Sequence, residues 1–129
     1  MTVSTGLQVT GEHQLHSETR AGAFLTGTRW NKFATDGVTY QYPIRIDGPN
    51  LIHQVGWSTR AGIPKGLAAQ EAALGTKASH GCVRVARTSG EGGINAFWLW
   101  THLAKNTKVL IIDDPEERHA RMDMLGIPY

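Results

Sequence analysis

A single cysteine, no long apolar run and no block of like charge bound what this chain can be. Cys82 has no second cysteine to pair with, so no disulfide forms within the chain and the thiol serves either packing or reactivity. The densest apolar runs, Ala96–Trp100 and Val109–Ile112, are far too short to cross a bilayer, so no transmembrane segment is expected. The net charge is only +2, with basic residues scattered. That offers no stripe for nucleic acid and no polybasic anchor for a membrane surface. Met1-Thr2-Val3-Ser4-Thr5-Gly6 has neither a basic start nor an apolar core, so no signal peptide is read in it.

What is present describes a globule. At 129 residues, 40% apolar and 19% charged, the chain suits one domain that buries roughly two-thirds of its surface on folding. Fifteen glycines and five prolines favour turns and a strand-rich fold. Short strands are expected at Leu7–Thr10 and Ala23–Thr26. Val38, Tyr40, Tyr42, Ile44 and Ile46 alternate strictly, which predicts a strand with one buried face. Pro43 removes a donor and makes that strand an edge or a distorted one. Asp47-Gly48-Pro49-Asn50 predicts a turn into a second strand, Leu51–Val55.

Residues 56–77 read as a long loop holding a short helical stretch, Leu67–Leu74, and loops of this length are usually functional. Cys82–Val85 reads as a strand. Thr88 and Glu91 fit a capping box before a helix carrying Ile94, Phe97, Trp98, Leu99 and Leu103. Thr107–Ile112 predicts a last, central strand, and Asp113-Asp114-Pro115 the start of a C-terminal helix whose Glu116–Arg121 stretch is a solvated face.

The run Ala78-Ser79-His80-Gly81-Cys82-Val83-Arg84 argues that the thiol is reactive. An imidazole lies two residues away, a glycine permits close approach of backbone, and an arginine supplies positive charge. A nucleophilic thiol needs help to ionise and donors for the oxyanion its attack creates. His53, far away in sequence on a predicted strand, is a histidine that the fold could bring to the thiol. Taken alone it reads more simply as a hydrogen-bonded core histidine. His53, His80 and Cys82 could also ligate zinc, but no fourth ligand stands at a standard spacing. His13, His16, His102 and His119 read as non-catalytic. Trp98 and Trp100, two apart on a helix, cannot share a face.

Ile52-His53, a loop, and then Leu74-Gly75-Thr76-Lys77-Ala78-Ser79-His80-Gly81-Cys82-Val83-Arg84 resemble the catalytic signature of the L,D-transpeptidases (the YkuD domain). The similarity runs on through Asn95–Trp100 and Asn106–Asp113, and Val3-Ser4-Thr5-Gly6 resembles the turn near that family's start. The resemblance implies a mainly β fold with α (α+β), a β-sandwich or mixed sheet with one main helix packed on it. It also implies a shortened N-terminal edge, because the family's first strand would lie before Val3 and Gly11–Leu25 replaces its usual sequence. Residues 1–113 would be the catalytic domain and 114–129 a helical tail of it.

The implied activity is acyl transfer. Cys82 would attack the L-diamino acid–D-Ala bond of a peptidoglycan stem tetrapeptide, and the thioester would pass to a neighbouring stem as a 3→3 cross-link. By the same resemblance His53 is the base and the Gln54 carbonyl orients it. His80, Gly81 and Cys82 would form the oxyanion hole, braced by Ser79, and Arg84 and Trp57 would meet substrate. The implied partners are donor and acceptor stems, with carbapenems as covalent inhibitors. No cofactor or metal is implied, and the implied site of action is the cell envelope, periplasm or cell-wall space. Two other readings remain open: hydrolysis of the same thioester by an L,D-carboxypeptidase or endopeptidase, and a non-catalytic wall-binding module.

Overall fold

The structure, a computed structural model, describes residues 1–6, 19–58 and 67–112, with Asp123 and Gly126. The expected strand at Leu7–Thr10, the start of the C-terminal helix, His13, His16 and His119 lie outside the described residues.

Ten strands, two short α-helices and a 3-10 turn at Glu91–Gly93 are defined among them. In chain order the strands and α-helices are β1 (Val3–Gly6), β2 (Gly22–Leu25), β3 (Lys32–Thr35), β4 (Val38–Gln41), β5 (Ile44–Asp47), β6 (Asn50–Gln54), β7 (Trp57–Ser58), α1 (Leu67–Ala72), β8 (Lys77–Ser79), β9 (Val83–Val85), α2 (Ala96–His102) and β10 (Lys108–Ile111). The fold is mainly β with mixed sheets. A five-stranded sheet has the order β5-β6-β9-β1-β8, beside a three-stranded sheet β3-β4-β7 and a ribbon β10-β2. The N-terminal strand is an interior one, parallel to β8 and antiparallel to β9.

Strand alternation divides the large sheet into two faces. β6 and β9 run parallel in the register Ile52↔Val83, His53↔Arg84, Gln54↔Val85. Side chains point alternately to opposite faces, so Ile52, Val83 and Val85 share one. There they join Ile44 and Ile46 of β5 and Ala96 of α2 in the core, with Leu99, Trp100, Val109 and Ile111 packed against it. His53, Arg84 and Cys82 are left on the other. Parallel strands need a long crossover, and residues 55–82 provide it.

Three expectations are corrected. The run 38–46 is two strands, not one, because Tyr42 takes a left-handed φ of 58° and Pro43 offers no N–H. The chain breaks there, sending β4 to the small sheet and β5 to the large one. The main helix begins at Ala96 rather than near Thr88. Gly92 and Gly93 adopt positive φ, and Asn95 is the cap that accepts the Trp98 N–H at 2.8 Å. The last strand is not central: among the described residues β10 pairs only with β2, and Leu110 is exposed while Val109 and Ile111 face the core. Its unbroken apolar run conceals an alternating one. Among the described residues no helix is long and apolar enough to cross a membrane.

The small sheet lies over the His53 end of β6. Gly56 makes this possible, since a Cβ there would be 2.5 Å from the Tyr40 ring and 2.6 Å from Val38 Cγ1. Gly56→Ala should therefore cost about 1–3 kcal/mol of stability, the usual range for overpacking. A lower urea midpoint at unchanged m would register it.

Candidate active site

The β6–β9 register brings His53 and Cys82 together although no single element contains both. His53 pairs with Arg84, and Cys82 stands two residues before Arg84 on the same face. Two residues of rise and one strand spacing put the two Cα atoms on the order of 8 Å apart, within reach of an imidazole and a thiol. Among the described residues no hydrogen bond joins the two side chains in this conformation.

His53 is only 3% exposed. Its Nδ1 lies 2.6 Å from the Gln54 carbonyl, so Nδ1 carries the proton and Nε2 is the basic nitrogen. The ring is boxed by Tyr40 at 4.5 Å and Phe33 at 5.6 Å, both edge-on. Those two rings stack on each other across the β3–β4 pair. The strict alternation at 38–46 marked Tyr40 as buried, but nothing local in sequence pointed Phe33 at the histidine.

The thiol loop is held from beneath. Ser79, fully buried, donates its hydroxyl to the Cys82 carbonyl and accepts the Gly81 N–H at 3.2 Å. Thr19 donates to the Gly81 carbonyl at 2.7 Å and accepts the Gly6 N–H at 2.8 Å, tying the loop to β1. Gly81 has φ 118°, a conformation that strains any other residue. A Cβ there would also run into the Asn50 side-chain oxygen. The sequence reading gave this glycine to ligand approach; its close neighbour is Asn50, which had been read only as a turn residue.

Burial drives both candidate groups toward neutrality. Desolvation, and then the Arg84 charge, lower the His53 pKa to about 4 against the opposing Gln54 hydrogen bond. Desolvation raises the Cys82 thiol, although a main-chain hydrogen bond from Leu51 and the Arg84 charge pull the other way. The sequence reading invoked an imidazolium that lowers the thiol pKa. In this geometry the resting pair is thiol and neutral imidazole, because each charge would sit in a poorly solvated place.

Two clefts border the site. One of about 340 Å³ is lined by Cys82 with Arg20, Asp47, Gly48, Pro49, Asn50 and His80. The other, of about 600 Å³, lies between the β3–β4 hairpin and α1 and is lined by Tyr40, Gln70, His80 and Arg84 among others. His80 is exposed and stands in the wall of both. Arg84 has a buried Nε without a hydrogen-bond partner. Trp57 sits half-buried on β7 and lines neither cleft. His102 stacks on Trp98 on α2, away from the thiol face. Among the described residues no three His, Cys, Asp or Glu side chains converge as a metal set would.

No family model matches this chain, and no curated protein matches it. Solved structures do. An L,D-transpeptidase from Mycobacterium tuberculosis H37Rv superposes with a TM-score of 0.58 at 20% identity, covering 88% of this chain and 42% of its own. An LD transpeptidase in complex with imipenem gives 0.59 at 15% identity, with 87% and 48% covered. A fused Zn-dependent amidase/peptidase/peptidoglycan-binding domain-containing protein from Clostridium acetobutylicum ATCC 824 gives 0.53 at 20%, with 86% and 38%. What this chain shares with the two transpeptidases is their fold. This chain spans less than half the length of each of the three.

The buried imidazole has a pH signature. Its folded pKa, about 4, lies below the unfolded 6.5, so the unfolded chain binds the proton more readily. The penalty for burying this imidazole is absent above about pH 6.5 and grows as pH falls through 4, a span worth about 3 kcal/mol of lost stability. Urea midpoints measured from pH 7 down to 4 should fall steadily, and His53→Gln should flatten that interval.

Proposed function

We propose that this chain is a cysteine acyltransferase of the L,D-transpeptidase type, acting on peptidoglycan stem peptides in the cell envelope. The observation that carries the reading is the thiol: Cys82 borders an open cleft on the sheet face that it shares with His53 and Arg84. A packing cysteine needs neither a cleft nor an imidazole whose Nδ1 is pinned by a carbonyl. The transpeptidase folds it superposes on support the substrate class.

In this reading Cys82 Sγ forms a bond to the carbonyl carbon of the L-centre of the diamino acid in a tetrapeptide stem. Its proton passes to His53 Nε2. Because both groups rest neutral, this transfer accompanies attack rather than preceding it as an ion pair. The carbonyl electron pair moves onto oxygen and returns as the C–N bond breaks. D-alanine leaves with the proton from His53, and a thioester remains. The side-chain amine of a second stem then attacks, His53 takes its proton, and the thiol is released with a 3→3 cross-link formed. Arg84 would face a stem carboxylate. Water in place of the amine would make the same site an L,D-carboxypeptidase.

Intact-protein mass spectrometry after carbapenem exposure tests the nucleophile and its groove together. One adduct is expected on the wild type and none on Cys82→Ala, which should remain folded. His53→Ala should slow acylation by several orders of magnitude. An unmodified wild-type chain, or an adduct retained by Cys82→Ala, would refute the mechanism. Incubation with tetrapeptide stems then separates the acceptors: a cross-linked dimer signals transfer, and tripeptide alone signals hydrolysis.

A further inference from the structure

One of the donors expected at the thiol is already engaged. An acyl-transfer site must present hydrogen-bond donors to the oxygen that becomes negative under attack. Gly81 N–H, one of the amides beside the nucleophile, is taken by Ser79 Oγ. The Leu51 main chain is directed at the sulfur itself. Within the cleft the Arg20 guanidinium faces Asp47 at 3.6 Å, and Gly48 and Pro49 bring no side-chain donor.

Asn50 is different. It is the first residue of β6, directly before Leu51, and it lines the same cleft as Cys82. Among the described residues its carboxamide makes no hydrogen bond. The amide oxygen is the atom nearest the place where a Gly81 Cβ would stand, with Nδ2 farther off. The carboxamide thus lies against the thiol loop with its N–H groups unengaged among the described residues.

We propose that Asn50 is a catalytic residue whose Nδ2–H donates to the oxyanion formed when Cys82 attacks a carbonyl carbon. As Sγ bonds to carbon and the thiol proton moves to His53, the carbonyl π pair becomes a lone pair on oxygen and accepts that N–H. When the pair returns and the leaving group departs with the proton, the hydrogen bond relaxes. Gly81 thereby acquires a second reason to lack a side chain, because any Cβ would dislodge the carboxamide. The role rests on the acyl-transfer reading but not on the identity of the substrate.

Two reagents separate oxyanion stabilisation from mere thiol reactivity. p-Nitrophenyl acetate acylates a thiol through an oxyanion, whereas iodoacetamide alkylates it by displacement at a saturated carbon with none. Both rates at Cys82 can be followed by mass in the wild type, Asn50→Ala and the similarly shaped Asn50→Leu. Acetylation should fall by about 10²-fold in both variants, in line with loss of one oxyanion donor, while alkylation stays at the wild-type rate. Equal losses in the two reactions would make Asn50 a purely structural residue, and no loss in either would remove it from the chemistry. A wild-type ratio of acetylation to alkylation equal to that of free cysteine would also overturn the role. If stem peptides and carbapenems fail to react but the ratio still depends on Asn50, the substrate class falls and the catalytic role stands.

Discussion

The candidate site depends on the register between β6 and β9. With Ile52 opposite Val83 and His53 opposite Arg84, the alternation of a pleated strand sends the aliphatic side chains to α2 and the reactive ones to the opposite face. A slip of β6 by one residue would turn His53 into the core and Ile52 out of it, and a slip of β9 would do the same to Arg84 against Val83 and Val85. The cost of stranding that apolar area and burying those polar groups pins the register. Core and chemistry are therefore specified by the same pairing. The crossover through β7, α1 and β8 supplies the parallel direction, and hydrogen bonds from Ser4 to Ala73 and from Gly56 to Gln70 fasten α1 to β1 and to the end of β6.

The second constraint is burial at the thiol face. The Phe33–Tyr40 stack that covers His53 also strips it of water, and the sheet does the same for Cys82. Desolvation outweighs the hydrogen bonds that favour charge on either group. A preformed thiolate–imidazolium pair would be reactive toward any passing electrophile or oxidant. A neutral pair that ionises only during attack is less exposed to both.

Much of this was legible in the sequence. The 47–50 turn and its hairpin, the strand at Cys82, the mainly β class and the residues about the thiol all follow from local patterns, and local patterns are what a sequence displays. What was misread depended on the third dimension. The strand at 38–46 breaks because two sheets compete for it, and only the left-handed Tyr42 beside Pro43 reconciles them. Thr88 and Glu91 have the spacing of a cap, but the glycines after them delay the helix to Asn95. β10 looks central from its apolar run, yet Leu110 faces outward. Asn50 was invisible as anything but a turn residue, since its meeting with Gly81 joins the end of a hairpin to a loop after β8.

Arg84 links the two constraints electrostatically. Its charge acts on both members of the pair, favouring thiolate at Cys82 and opposing imidazolium at His53. Moving the proton from sulfur to nitrogen therefore gains at one end what it loses at the other, and the arginine alone does little to drive the step. An anion changes the balance. A carboxylate set against the guanidinium, whose buried Nε has no hydrogen-bond partner among the described residues, would cancel the field at His53 and raise the basicity of Nε2 at the moment a substrate arrives. The same carboxylate would weaken the stabilisation of thiolate, leaving the developing negative charge to donors next to the reacting carbonyl. On the proposed acyl-transfer reading the cation serves recognition, and the rate depends on neutral hydrogen-bond donors around the oxyanion.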